Sequence, residues 1–98
     1  MPIFYIAGPM TGLPNFNRES FYAMADHIKA EGMTAINPAT LPDGLTQAQY
    51  MDICLAMLRC ATHIVMLEGW QNSEGAKIER ALAIKSGLIV EYENADER

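Results

Sequence analysis

Two hydrophobic rhythms alternate along this chain. Short apolar runs occur at Ile3 to Ala7, Met33 to Ile36, His63 to Leu67 and Leu88 to Glu91 or Tyr92. The first shows no polar alternation, as a strand covered on both faces requires, and the spacing predicts four strands. Between the runs, apolar side chains recur every three or four residues. Phe21, Met24, Ala25 and Ile28 form one such stripe, with Asn17 as N-cap and Phe16 and Phe21 as a staple across it. Gly32 ends that helix. Thr46 opens the next, with Gln49 as capping-box partner and Leu45 and Tyr50 as staple. Tyr50, Ile53, Cys54, Met57, Leu58 and Ala61 mark its buried face. Ser73 caps a third helix running to about Ser86 and closed by Gly87, and the last six residues are polar and expected to be loose.

The order β-α-β-α-β-α-β predicts a flavodoxin-like or Rossmann-like three-layer α/β/α fold with a four-stranded parallel sheet. In such folds ligands bind beyond the carboxyl ends of the strands, near the switch in strand order. The loops 8–12, 37–45 and 68–73 converge there.

With 98 residues, the chain is expected to be a single domain, residues 1–98. Seven basic and twelve acidic side chains give a net charge of −5 without any basic run, which argues against a DNA or RNA polymer as partner. A free nucleotide stays open, because backbone amides can hold a small anion. The first apolar run is too short for a secretory signal, and no segment approaches the roughly 18 apolar residues of a membrane span. Cys54 and Cys60 lie six apart on one helix and point in different directions, so no disulfide is expected. His27 and His63 add no ligand spacing. Two reduced core thiols in a cytoplasmic protein, with no metal or other cofactor, is the expectation.

Two constellations carry candidate chemistry. Tyr5 points out of the first run, beside the loop Gly8, Pro9, Met10, Thr11, Gly12, as a candidate pocket-lining residue. Its glycines permit close approach to a ligand, and the amides and Thr11 hydroxyl could bind an anion; a plain turn fits the residues equally well. The second stretch is "NSEGAKIE", residues 72 to 79. Behind Ser73, the amides of Glu74, Gly75 and Ala76 point out of a helix N-terminus. Glu79 lies one turn further on, with only Gly75 and Ala76 on its N-terminal side, leaving space for a substrate; a solvated Glu paired with a nearby Lys or Arg is the competing reading. Asp52 falls opposite the apolar stripe and is expected to be exposed. Trp70 could stack on a base or cover the core edge, and His63 reads as structural.

"YIAGPMTG", "LEGWQNSEGAKIERALAIKSG" and the spacing between them resemble the nucleoside 2-deoxyribosyltransferase superfamily, in particular its short phage and bacterial branch. The resemblance spans nearly the whole chain and implies a flavodoxin-like fold, a homodimer or higher homo-oligomer, and a Glu nucleophile. That Glu sits in a pattern like S/D-x-G-x-x-x-E, which falls on Ser73, Gly75 and Glu79, while the strand-one Tyr and glycine loop fall on Tyr5 and Gly8 to Gly12. Ser in the first position implies contact with a 5′-phosphate, as in 2′-deoxynucleoside 5′-monophosphate N-glycosidases. Two Asp positions of the superfamily fall on Cys54 and Thr62, and the chain is shorter than the superfamily's enzymes. The resemblance implies attack of Glu79 on C1′ of a deoxyribose, with hydrolysis or transfer to follow. Its alternatives are a binder or sink for a nucleotide-derived ligand, and a small oligomeric scaffold with a vestigial pocket.

Overall fold

A computed structural model describes all 98 residues. The strands are β1 (Ile3–Ala7), β2 (Thr34–Ile36), β3 (His63–Met66) and β4 (Ile89–Tyr92), and the helices are α1 (Arg18–Ala30), α2 (Gln47–Arg59) and α3 (Glu74–Lys85). All neighbouring strands run parallel in the order β2-β1-β3-β4. The fold is therefore a three-layer, flavodoxin-like α/β/α arrangement. Because the chain leaves β1 toward β2 and returns on the other side with β3, the order switches beside β1.

Successive residues of β1 point to opposite faces of the sheet. Phe4 and Ile6 join Phe21, Ala25 and Ile28 of α1, with Val65 and Leu67, in one core cluster. Tyr5 and Ala7 join Cys54 and Leu58 of α2 and Ala76 and Ala83 of α3, with Ile64 and Met66, in the other. Burial on both faces explains the unbroken apolar runs of the central strands β1 and β3.

Local caps set the entry of two helices as expected. Thr46 and Gln49 form a complete capping box, and Ser73 Oγ accepts from the Ala76 amide. The entry of α1 differs. Asn15, Phe16 and Asn17 all adopt left-handed backbone angles (φ 50°, 54° and 58°). Asn17 makes no cap bond to α1: its amide donates to the Pro9 carbonyl at 2.9 Å and its Oδ1 accepts from Ser20. Phe16 is left half exposed, so the expected staple does not form. The residue ties the glycine loop down instead of capping the helix.

Other expectations are corrected by packing. Ile53 and Cys60 are exposed, so only Cys54 is a core thiol, and both cysteines are free. The polar tail is anchored: residues Ala95–Glu97 form a short 3₁₀ turn. The Glu97 carboxylate accepts from the Gly69 amide at 3.0 Å, and its carbonyl accepts from Trp70 Nε1 at 3.1 Å. Trp70 thereby covers the core edge, under the Arg80 guanidinium at 4.8 Å. Asp52 is exposed, and His63 stacks on Phe4 at 4.3 Å, away from the loops that follow the strands. No helix is long and apolar enough to cross a membrane.

Candidate active site

At the switch in strand order, Tyr5 of β1 faces α3, and its hydroxyl donates a buried hydrogen bond to Glu79 Oε2. Tyr5 is fully buried and Glu79 is 7 % exposed, the one buried charged side chain of the molecule. Ala76, Glu79 and Ala83 share the buried face of α3 at i, i+3, i+7, so the carboxyl occupies a core position. The reading of Glu79 as a solvated surface acid is thereby overturned.

Burial pushes the Glu79 carboxyl up to about 7, against the hydrogen bond from Tyr5, which favours the ionised form. Near neutrality the group is divided between acid and carboxylate. Burial also raises Tyr5 far above the ordinary phenol range, with the neighbouring Glu79 charge acting in the same direction. The phenol stays protonated and acts as a fixed donor. Cys54, fully enclosed beside Tyr5, is pushed up to about 11 by burial, partly offset by the Tyr5 hydroxyl. It is a neutral thiol at physiological pH.

A cleft of about 80 Å³ opens over this pair. It is lined by Tyr5, Gly8, Met10, Thr11, Ser73, Gly75 and Glu79, seven of the nine residues expected to form the site. Pro9 lines a separate cavity on the α1 side of the loop, and Gly12 lines neither. The two glycines that do line the cleft also have packing reasons to be there. A Cβ on Gly8 would stand 2.7 Å from Leu67 Cβ, so the loop can leave β1 only where no side chain intervenes. A Cβ on Gly75 would meet Met51 Cε at 3.2 Å, which means that α2 fills part of the space expected above Glu79.

The start of α2 supplies the residues that sequence reasoning assigned to no site. Gln47, Tyr50 and Met51 form one helical face and close the cleft together with Pro38. Their i, i+3, i+4 spacing, just after the loop that follows β2, was the available signal. Tyr50 is fixed by its hydroxyl, whose one proton is shared between Met10 Sδ at 3.0 Å and the Pro38 carbonyl at 3.2 Å. Burial, with the nearby Cys54 thiol, raises its phenol as well. Of the positions aligned with the superfamily's Asp pair, Cys54 packs against the site and Thr62 does not. Thr62 sits before β3, where its hydroxyl accepts from the Ile3 amide at 2.8 Å and so joins the N-terminal ends of β1 and β3, the end of the sheet away from the site.

A second, larger groove of about 170 Å³ adjoins the cleft and shares Met10, Thr11, Pro38, Gln47 and Tyr50 with it. No group of three or more His, Cys, Asp or Glu side chains is placed to hold a metal ion.

Fold and site together define a class: a parallel α/β protein with a carboxyl–phenol pair buried under the loops at its switch point. Within it, residues 2–92 match the family described as a domain of unknown function (DUF4406), and the chain belongs to that family. No curated protein matches the sequence.

Proposed function

We propose that the chain binds a 2′-deoxynucleoside 5′-monophosphate or a related nucleotide and cleaves its glycosidic bond through Glu79. The observation that carries this reading is the Tyr5–Glu79 pair: a buried carboxyl, titrating near neutrality, held by a fixed donor in a cleft beside a helix N-terminus. Perturbed carboxyls in clefts are what nucleophilic and acid–base chemistry requires. Ser73 and the first amides of α3 receive the 5′-phosphate in this scheme, and Met10 and Thr11 line the sugar.

Ionised Glu79 attacks C1′ through an oxocarbenium-like transition state. The bond between C1′ and the base nitrogen breaks, its electron pair leaves with the base, and the base takes a proton from water. A second water adds its oxygen at C1′ and gives up a proton, which releases the sugar phosphate and restores the carboxylate. Tyr5 holds the Glu79 oxygen that does not attack. Transfer to another base would replace that second water.

A binder that captures the nucleotide without cutting it is the competing reading, favoured by one observation. The resemblance implies an acidic donor for the leaving base at position 54, where this chain has Cys54, a fully buried thiol pushed up to about 11. Incubation with the four 2′-deoxynucleoside monophosphates, followed by chromatography of free base, separates the two. Release is expected from the native protein and should fall at least about a thousandfold in Glu79→Gln. Release that survives the substitution would exclude Glu79 as nucleophile. Tight binding without release would establish the binder. We further propose that the protein is cytoplasmic and that it is a homo-oligomer, the latter supported by exposed Ile78, Ile84 and Ile89 on α3 and β4.

A further inference from the structure

The groove beside the Glu79 cleft has a feature that the proposed chemistry leaves unused. Arg18, the first residue of α1, is the only cationic side chain lining either cavity. Its guanidinium donates from Nη2 to Asp43 Oδ1 at 2.5 Å and from Nη1 to Asn15 Oδ1 at 3.2 Å, and it lies 5.1 Å from the centre of the Phe16 ring. Asp43 belongs to the loop between β2 and α2, so this ion pair bridges the two segments that wall the groove. The side chain of Arg18 is 21 % exposed and that of Asp43 is 79 % exposed.

Two further observations bear on what that guanidinium is for. The three consecutive left-handed residues Asn15, Phe16 and Asn17 deliver Arg18 to the groove. None is a glycine, and at Phe16, unlike the two asparagines, this conformation is strained. Asp43, for its part, is a solvated carboxylate next to Gly44 that engages the fork through one oxygen. An exposed pair of this type is worth well under what a guanidinium gains from a bidentate oxyanion.

We propose that Arg18 is an oxyanion-binding residue of the ligand site and that Asp43 is its internal placeholder. A phosphate or carboxylate group of a ligand in the groove takes the place of the Asp43 carboxylate and frees the loop around residues 41–45. This position is distinct from the N-terminus of α3 inside the cleft. A ligand filling both rooms carries two anionic centres, one near Ser73 and one at Arg18. The inference stands on the groove itself and does not depend on cleavage by Glu79.

Calorimetric titration with inorganic pyrophosphate tests it, and malonate in a parallel arm distinguishes phosphate from carboxylate selectivity. Arg18→Gln is expected to weaken binding of the preferred anion about ten- to a hundredfold. Arg18→Lys, which keeps the charge and loses the fork, should fall between the two. Asp43→Asn removes the competitor and is expected to tighten binding about two- to fivefold. Base release and anion titration are separate readouts on the native protein, so failure of the cleavage reading and failure of this one are separable. Retained far-ultraviolet circular dichroism confirms that each variant is folded. Affinity unchanged in Arg18→Gln but reduced in Ser73→Ala would assign the anion to the helix terminus and overturn the proposal. Weaker binding in Asp43→Asn, or no binding of either anion to the native protein, would overturn it as well.

Discussion

At the scale of single residues, the molecule places an acid where its helix would otherwise carry a core alanine. Glu79 lies between Ala76 and Ala83 on the buried stripe of α3, and its only side-chain hydrogen bond is from Tyr5. Burial raises its proton affinity and the phenol opposes that rise, so the group titrates at about 7. If the carboxylate is the reactive form, kcat/KM for base release increases with pH through that value and flattens above it. Tyr5→Phe removes the donor that favours the ionised form. The acid limb should then move up by roughly one pH unit, with the rate lowered even on the plateau. A limb that stays in place, measured across pH 5 to 9, would mean that the phenol does not set the acidity of Glu79. The stripe also shows what was legible. The motif at Ser73, Gly75 and Glu79 marked a candidate site but left a solvated Glu79 open; its place between Ala76 and Ala83 on the buried face of α3 emerges only from the fold. Conversely, Gly75 suggested open space above the acid, and Met51 of α2 supplies the missing contact from a distant part of the chain. No local pattern encodes such a contact.

At the scale of elements, strand and helix positions followed from periodicity because both sheet faces are covered and each helix packs with one stripe. The caps of α2 and α3 were readable for the same reason: a capping box and a Ser cap are closed within four residues. The approach to α1 was not readable, since the left-handed turn at Asn15 to Asn17 is held by the Asn17 bond to the Pro9 carbonyl. Its cause lies in how the glycine loop folds back on itself. That loop in turn depends on Gly8, whose added Cβ would meet Leu67 Cβ at 2.7 Å. Neither backbone segment is free to give, because Leu67 is fully buried and its amide donates to the Ala7 carbonyl at 2.8 Å. Gly8→Ala is expected to cost about 1–3 kcal/mol in chemical denaturation. It should also perturb amide resonances of Met10 and Thr11. A variant as stable as the parent would show that the loop has slack which the packing does not suggest.

At the scale of the whole molecule, the two ends of the chain are both built into the structure around the site. The C-terminal turn accepts from Gly69 and Trp70 through Glu97, at the loop that leads into α3. Removing residues 94–98 should expose the Trp70 indole, shift its fluorescence to longer wavelength and lower the melting temperature. An unchanged emission maximum would mean that Arg80 and Tyr92, which flank the indole, suffice to shield it. β1 plays the larger part. It pairs with β2 on one edge and β3 on the other, sends Phe4 and Ile6 into one core layer and Tyr5 into the other, and ends in the glycine loop. The strand that holds the sheet together is thus also the wall behind Glu79. The site has no soft foundation: Tyr5 cannot leave it unless the central strand pairing fails. Any compound that settles against Tyr5 therefore draws on the cooperativity of the entire domain, and its binding registers as a rise in melting temperature. Any ligand of the site can therefore be sought by heating the protein in mixtures of cellular metabolites, with no reaction assumed beforehand.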